Sequence, residues 1–253
     1  TSTELISIPT SLVIMAAMGT MWRGRTRLKV PLVLVIFSIV NFIIGGISGT
    51  FLADVPADWF ETDTFFVVAH FHYTILGGMV FAWMAAMYFY LPKFSGRMFH
   101  ERWAMAMSWI TFAFFNWTFF SMFFVGLNGM NRRVATYPPY LQTENLFISI
   151  PAWVLGASFA GHVIIIAHGW LRGRPAPANP WNAKTLEWQT SSPPPEHNFE
   201  RDPIVVGDFY SYGKPDAPEP DLIPIPGIEE DAPITLDGGS PGERAPTETG
   251  GGS

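Results

Sequence analysis

Two histidines, His70 and His72, lie within a run of apolar residues that is long enough to cross a bilayer. Ionisable side chains are costly in hydrocarbon, so a pair inside one span indicates a functional site. Each residue of an α-helix turns by about 100°, which places positions i and i+2 about 200° apart. The imidazoles then face opposite sides of one helix and favour two separate metal centres, with haem iron a suitable metal. The alternative is two core histidines hydrogen-bonded to neighbouring helices.

Two adjacent arginines, Arg132 and Arg133, are a second candidate for binding chemistry. Their loop is predicted to lie on the same side of the membrane as the end of the span that carries the histidines. If haems are bound there, the guanidinium groups can donate charge-assisted hydrogen bonds to haem propionates. The alternative is that both arginines extend to lipid phosphates.

The composition predicts an integral membrane protein that positions these residues. Of 253 residues, 49% are hydrophobic and only 14% are charged, and there is no cysteine, which excludes disulfides and thiolate chemistry. Pro92 and Pro151 are predicted to mark the end of the third span and the start of the fifth. Five stretches qualify as membrane spans, at approximately residues 5–21, 30–52, 65–91, 103–127 and 146–171.

The remainder of the chain, residues 172–253, differs sharply from the spans in charge and composition. Residues 1–171 carry nine Lys and Arg against seven Asp and Glu, whereas residues 172–253 carry six against fourteen and hold fifteen of the 22 prolines. We expect residues 172–214 to form an extended segment on the cytoplasmic face. Residues 215–253, an acidic tail rich in proline and glycine, are predicted to be disordered.

Loop charges predict the orientation. The basic connections at residues 22–29 and 93–102, together with Arg172 and Arg174, fall on one side, which the positive-inside rule makes cytoplasmic. The acidic loop at residues 53–64 then faces outward. The prediction is a prokaryotic plasma-membrane protein whose carboxyl-terminal tail is cytoplasmic.

Residues 63–73 read Asp-Thr-Phe-Phe-Val-Val-Ala-His-Phe-His-Tyr, and in this run the sequence closely resembles subunit I of the haem-copper cytochrome c oxidases. The resemblance implies an all-α integral membrane fold whose five transmembrane helices are helices eight to twelve of a twelve-helix bundle. Further similar segments lie along the chain, at residues 6–10, 45–49, 116–120, 126–133 and 185–195.

The resemblance also implies roles for single residues. His70 matches the ligand of the high-spin haem that faces copper and binds oxygen, and His72 matches one axial ligand of the low-spin haem. Phe71 lies between them, and Arg132 and Arg133 match residues that hold haem propionates. The implied reaction is reduction of dioxygen to water with electrons from cytochrome c, coupled to proton translocation. The implied cofactors are two haems of the haem A type and a copper ion.

Some positions depart from the family pattern. A His-Asp pair that contributes to a magnesium or manganese site is replaced by Thr62-Asp63, which leaves Asp63 as an oxygen ligand. Val13 stands where the family has a proton-conducting lysine, although Thr10 fits a polar step of that proton path. The copper ligands and the second axial histidine lie on earlier helices in this family. We therefore expect the carboxyl-terminal half of subunit I, as a partial sequence or a split gene product.

The partners implied are the remaining half of subunit I, subunits II and III, cytochrome c and membrane lipid. No basic stripe is present, so nucleic acid is not expected. Alternative functions are a quinol oxidase or a nitric oxide reductase of the same superfamily, or a non-catalytic membrane transporter or scaffold. His162 and His168, on the last span, are expected to have core or interfacial roles.

Overall fold

The structure, a computed structural model, describes residues 2–22, 26–183, 185–199, 202–204 and 221–223. Five helical segments in these ranges are long and apolar enough to cross a membrane, which confirms the predicted all-α membrane fold. They are Ser2–Met21, Val30–Ala53, Phe65–Ser95, Glu101–Leu127 and Pro139–Arg172. Arg23 and Arg25, two of the residues that predicted the cytoplasmic side, lie outside the described residues.

The individual helices divide these segments further. The third segment is interrupted by a π-helix at His72–Val80, and short 3-10 turns lie at Pro139–Leu141 and Leu186–Trp188. The α-helices are α1 Ser2–Leu5, α2 Ser7–Met21, α3 Val30–Ala53, α4 Val55–Glu61, α5 Phe65–Phe71, α6 Phe81–Ser95, α7 Glu101–Leu127 and α8 Gln142–Arg172. Two antiparallel strand pairs complete the described elements: β1 Arg97–Met98 with β2 Arg174–Pro175, and β3 Asp202–Ile204 with β4 Asp221–Ile223.

Helix boundaries follow from local chemistry. Pro31 lies in the first turn of α3, where its missing N–H has no intrahelical partner to lose. The hydroxyl of Thr64 accepts a hydrogen bond from the Phe66 amide at the start of α5. Gly96 ends α6 with a φ of 66°, a left-handed conformation that glycine adopts without a steric penalty.

Two predicted boundaries are wrong. Pro92 does not end the third span, because α6 continues to Ser95, and Pro151 does not begin the fifth, because α8 starts at Gln142. Proline is tolerated inside membrane helices when neighbouring groups satisfy the backbone atoms that it frees. The spans are therefore longer at these ends than the proline positions indicated.

Packing of the described helices centres on α3, the π-helix, α5 and α7. Helix α7 lies along α8 and also packs on α5, and α3 packs on the π-helix and α6. Small or polar residues at three- and four-residue spacing place one buried face of α3 against the histidine-bearing span: Ser38, Asn41, Gly45 and Ser48. Helices α1 and α2 contain no buried residue.

Residues 178–253 form a separate compact unit. Its described elements are the 3-10 turn at Leu186–Trp188 and the β3–β4 pair. Of the tail predicted to be disordered, residues 215–253, only 221–223 are described, and they form β4; the rest lies outside the described residues. The boundary between an extended segment and a disordered tail remains a prediction.

Candidate functional site

The histidine pair spans a change of helix type. His70 lies in the last turn of α5, and His72 is the first residue of the nine-residue π-helix. π-Helices are rare and occur frequently at functional sites. The pattern of apolar residues did not predict this segment, although the adjacent buried glycines Gly77 and Gly78, both poor helix formers, were a possible signal.

His70 faces α3. Its Nδ1 atom lies 3.0 Å from the carbonyl oxygen of Gly45 and 3.1 Å from the hydroxyl of Ser48. Because a carbonyl only accepts hydrogen bonds, the short contact with Gly45 places the ring proton on Nδ1. The Ser48 hydroxyl in turn donates to the same Gly45 carbonyl, over 2.8 Å. The Nε2 lone pair is then available to a metal.

His72 faces α7 instead. Its ring stacks on Phe119, with centroids 4.1 Å apart and planes 15° apart. Phe71 lies on the ring as well, with a centroid distance of 4.4 Å. The Nδ1 atom is 2.8 Å from the carbonyl oxygen of Val68, one turn earlier, so this ring also carries its proton on Nδ1.

The two imidazoles thus lie against different helices and share one hydrogen-bonding arrangement. Each donates Nδ1–H to a backbone carbonyl, and within the described residues neither Nε2 makes a hydrogen bond. An imidazole oriented by a carbonyl at one nitrogen is the usual form of a metal-ligating histidine. The described residues contain no cluster of three or more His, Cys, Asp or Glu that could hold a metal ion. The donor set would therefore supply one imidazole to each of two haem irons, and the described residues by themselves do not fit a copper site.

The loops that precede α5 and follow α7 carry the remaining predicted binding residues. The Arg132 guanidinium donates two hydrogen bonds to one carboxylate oxygen of Asp63, from Nη2 over 2.7 Å and from Nε over 3.0 Å. The Arg132 backbone amide also donates to the Asp63 carbonyl, and Thr64 forms an isolated antiparallel β-bridge with Asn131. This ion pair is largely exposed at Asp63, so it contributes little to stability. It fixes the guanidinium at the amino-terminal end of the span that carries the histidines.

Arg133 and Asp63 both adopt left-handed backbone conformations, with φ of 63° and 62°. The Arg133 side chain is exposed and makes no ion pair within the described residues. Such conformations are uncommon for residues other than glycine, and both occur in the loops that the contacts between Asp63 and Arg132 join. Arg132 therefore has a carboxylate partner from this chain, whereas Arg133 is open to an added acidic group.

Glu61, at the end of α4, is a buried acidic residue that sequence reasoning did not single out. Only 6% of it is exposed, and one carboxylate oxygen has no hydrogen-bond partner within the described residues. Burial, with a smaller contribution from the nearby Asp58 carboxylate, raises the pKa of Glu61 above its ordinary value.

Thr10 lies in a cleft of about 530 Å³ between α2, α3 and the π-helix. The cleft is mostly apolar and is also lined by Val13, Ser38, Phe42 and Thr74. The Thr10 hydroxyl donates to the Ile6 carbonyl over 2.8 Å. Thr10 therefore supplies a hydroxyl group to the lining of the cleft, whereas the Val13 side chain supplies no polar group.

His162 is a core residue, as predicted. It is 2% exposed, and its ring nitrogens lie 2.7 Å from the Tyr88 hydroxyl and 3.1 Å from the Thr111 hydroxyl. Both nitrogens are occupied by protein groups, in contrast to His70 and His72. His162 therefore joins α6, α7 and α8 and leaves no nitrogen for a metal.

A substitution on α3 tests how closely that helix holds His70. A Cβ atom added at Gly49 would lie 2.9 Å from Cε1 of His70, whereas one added at Gly46 meets nothing within 4 Å. We expect Gly49→Ala to displace the imidazole and weaken any ligand bond it makes, and Gly46→Ala to have no effect. The measurement is the visible spectrum of the haem that the family resemblance assigns to His70, recorded on the assembled complex. Equal spectra for the two variants would contradict the close approach.

The fold and the histidine geometry define a class, an all-α integral membrane protein with an intramembrane histidine pair. The chain belongs to the family described as Cytochrome C and Quinol oxidase polypeptide I, which its residues 1–160 match. This confirms the family that the motifs indicated.

Among the similar curated proteins are subunits 1 of cytochrome c oxidase from two bacteria. The Thermostichus vulcanus protein is 41% identical over 212 residues, covering 84% of this chain and 38% of the relative. The protein of Bacillus sp. strain PS3 is 39% identical over 209 residues, covering 81% of this chain and 34% of the relative. The chain thus spans just over a third of these relatives, which is consistent with the predicted carboxyl-terminal half.

A chain from a cryo-EM structure of a heme-copper terminal oxidase dimer has a similar fold, with a TM-score of 0.56. The match covers 70% of this chain and 38% of the other, at 17% sequence identity. At this identity the likeness supports the arrangement of helices and carries no residue roles.

Proposed function

We propose that the subunit I to which this sequence belongs is the catalytic subunit of a terminal respiratory oxidase. It reduces dioxygen to water with electrons from cytochrome c and couples this to proton translocation. One observation carries the proposal: two imidazoles on one span donate Nδ1–H to the carbonyls of Gly45 and Val68 and face different helices. That arrangement suits two separate irons better than one shared metal.

His70 would bind the iron of the high-spin haem and His72 that of the low-spin haem. When bound, the haems and copper supply the electron transfer and oxygen chemistry. The chain's own contribution is to fix each ring. Gly45 and Ser48 hold His70 against α3, and Phe119 holds His72 against α7. Phe71, between the two ligands, packs on the His72 ring.

The outer loop residues would bind the acidic edges of the haems. Arg133 is free to donate to a propionate, and Arg132 can do so while it keeps its contact with Asp63. Asp63 retains oxygen lone pairs for a magnesium or manganese ion, and Thr10 would be a step of a proton path.

The further assignments rest on the family. They are haem of the A type, a copper ion held by residues outside this chain, the remaining half of subunit I, subunits II and III, cytochrome c and lipid. The membrane would be a prokaryotic plasma membrane with the tail on the cytoplasmic side. Since the family description includes quinol oxidases, a quinol is the alternative electron donor.

The test is a reduced-minus-oxidised spectrum of the purified complex that contains this chain, with copper analysis and oxygen uptake. We expect haem bands, copper, and oxygen consumption supported by reduced cytochrome c. The chain expressed alone should bind no stoichiometric copper, because its described residues offer no copper-binding cluster. Absence of haem from the complex would overturn the proposal and favour a transporter or scaffold. Oxygen uptake with a quinol but not with cytochrome c would replace only the donor.

A further inference from the structure

A series of partly buried hydrogen bonds crosses three helices directly beside His72. The hydroxyl of Tyr73 donates to Oδ1 of Asn116 over 2.8 Å. The amide nitrogen of Asn116 donates to Oδ1 of Asn41 over 3.2 Å and to the carbonyl of Phe112 over 2.9 Å. Tyr73 and Asn41 are both fully buried. These hydrogen bonds thus connect the π-helix to α7 and α3.

This series of hydrogen bonds is adjacent to the aromatic contact that holds His72. Tyr73 follows His72 in the sequence, and Phe119 follows Asn116 by three residues, which places both on one face of α7. The hydrogen bond from Tyr73 to Asn116 and the stacking of His72 on Phe119 therefore join the same two helices at neighbouring levels. A rotation of the π-helix that breaks one contact disturbs the other.

A π-helix needs such external contacts. Its i→i+5 hydrogen bonding is rarely stable, and a segment of this kind persists where surrounding structure determines it. Among the described residues, two side-chain hydrogen bonds with neighbouring helices hold this segment. The Ser38 hydroxyl donates to the Gly78 carbonyl over 2.6 Å near its end, and the Tyr73 hydroxyl contacts Asn116 near its start. Only the second lies at the level of a candidate ligand.

We propose that Asn116 is a positioning residue for His72: it fixes the start of the π-helix through Tyr73 and so sets the plane of the His72 imidazole. The inference rests on the proposed function, in which His72 binds the low-spin haem. Groups that orient a ligating histidine tune the metal without touching it. Asn116 touches neither iron nor substrate in this role.

The experiment compares Tyr73→Phe, Asn116→Ala and their double variant in the intact oxidase complex. The readout is the low-spin haem signal in electron paramagnetic resonance and in the visible spectrum. We expect each single variant to shift the low-spin signal in the same direction at unchanged haem content. The double variant should show no larger shift than Asn116→Ala, since both substitutions remove the same hydrogen bond between Tyr73 and Asn116.

Tyr88→Phe is the matched control. It removes a hydroxyl from another fully buried tyrosine of the same span, but this hydroxyl contacts His162 rather than Asn116. A general loss of packing moves both tyrosine variants alike, whereas positioning of His72 moves only Tyr73→Phe. An unshifted low-spin signal in Tyr73→Phe and Asn116→Ala, or an equal shift in Tyr88→Phe, would overturn the inference. A wild-type complex without any low-spin haem would instead refute the proposed function.

Discussion

His72→Ala is expected to remove the low-spin haem from the assembled oxidase while the subunit still folds. The His72 imidazole, which faces α7, leaves its Nε2 free to bind an iron, and alanine supplies no nitrogen. Among the described contacts, the change removes the stacking on Phe119, the ring contact with Phe71 and the hydrogen bond to the Val68 carbonyl. Haem content and the reduced-minus-oxidised spectrum measure the effect. A variant that keeps the full low-spin signal would refute the assignment.

His70→Ala separates the two ligands. This variant should keep the low-spin signal and lose oxygen reduction, because its ring lies on α3, away from the His72 site. His168→Ala is the control, since that side chain is exposed near the carboxyl-terminal end of α8. The same spectral loss in both His70→Ala and His72→Ala would contradict two separate irons.

Gly126→Ala is expected to have the largest effect on folding. A Cβ atom at this position of α7 would overlap the backbone nitrogen of Phe66 and lie 2.9 Å from the carbonyl carbon of Phe65. Backbone atoms cannot move aside as a flexible side chain does, so α5 and α7 must separate. Overpacking of this kind costs about 1–3 kcal/mol and occasionally more. The temperature at which the purified complex loses its haem spectrum should fall.

Gly156→Ala provides the matched comparison. It is also a helical glycine, in α8, and an added Cβ there meets nothing within 4 Å. In a helix, alanine is more favourable than glycine by about 1 kcal/mol, so this variant should be neutral or slightly stabilising. If both variants denatured at the same temperature, the close contact of α7 with α5 would be refuted.

Much of this fold was predictable because membrane spans depend on local composition. A bilayer requires about 20 apolar residues for each helix, and the five stretches meet that requirement wherever the rest of the chain lies. The opposite directions of His70 and His72 also follow from helix geometry. The boundaries predicted at the prolines were wrong because the effect of a proline depends on neighbouring groups that satisfy the freed backbone atoms. The local sequence does not show those neighbouring groups.

The contacts that hold the site were not predictable in the same way. The pairing of Asp63 with Arg132 joins residues 69 positions apart, and that of Tyr73 with Asn116 joins residues 43 apart. Each depends on which faces of two helices meet. Asn116 appeared in a motif of the family resemblance, but its sequence neighbourhood alone assigned it no partner.

The π-helix has a consequence for the spacing of residues along the third span. A π turn contains more residues than an α turn, so the nine residues His72–Val80 change the angular phase between the two α-helical parts. The first part directs His70 toward α3, and the second directs Tyr88 toward His162. The number of residues between these two contacts is therefore constrained. Loss of one residue between them would turn Tyr88 by about 100° away from its partner.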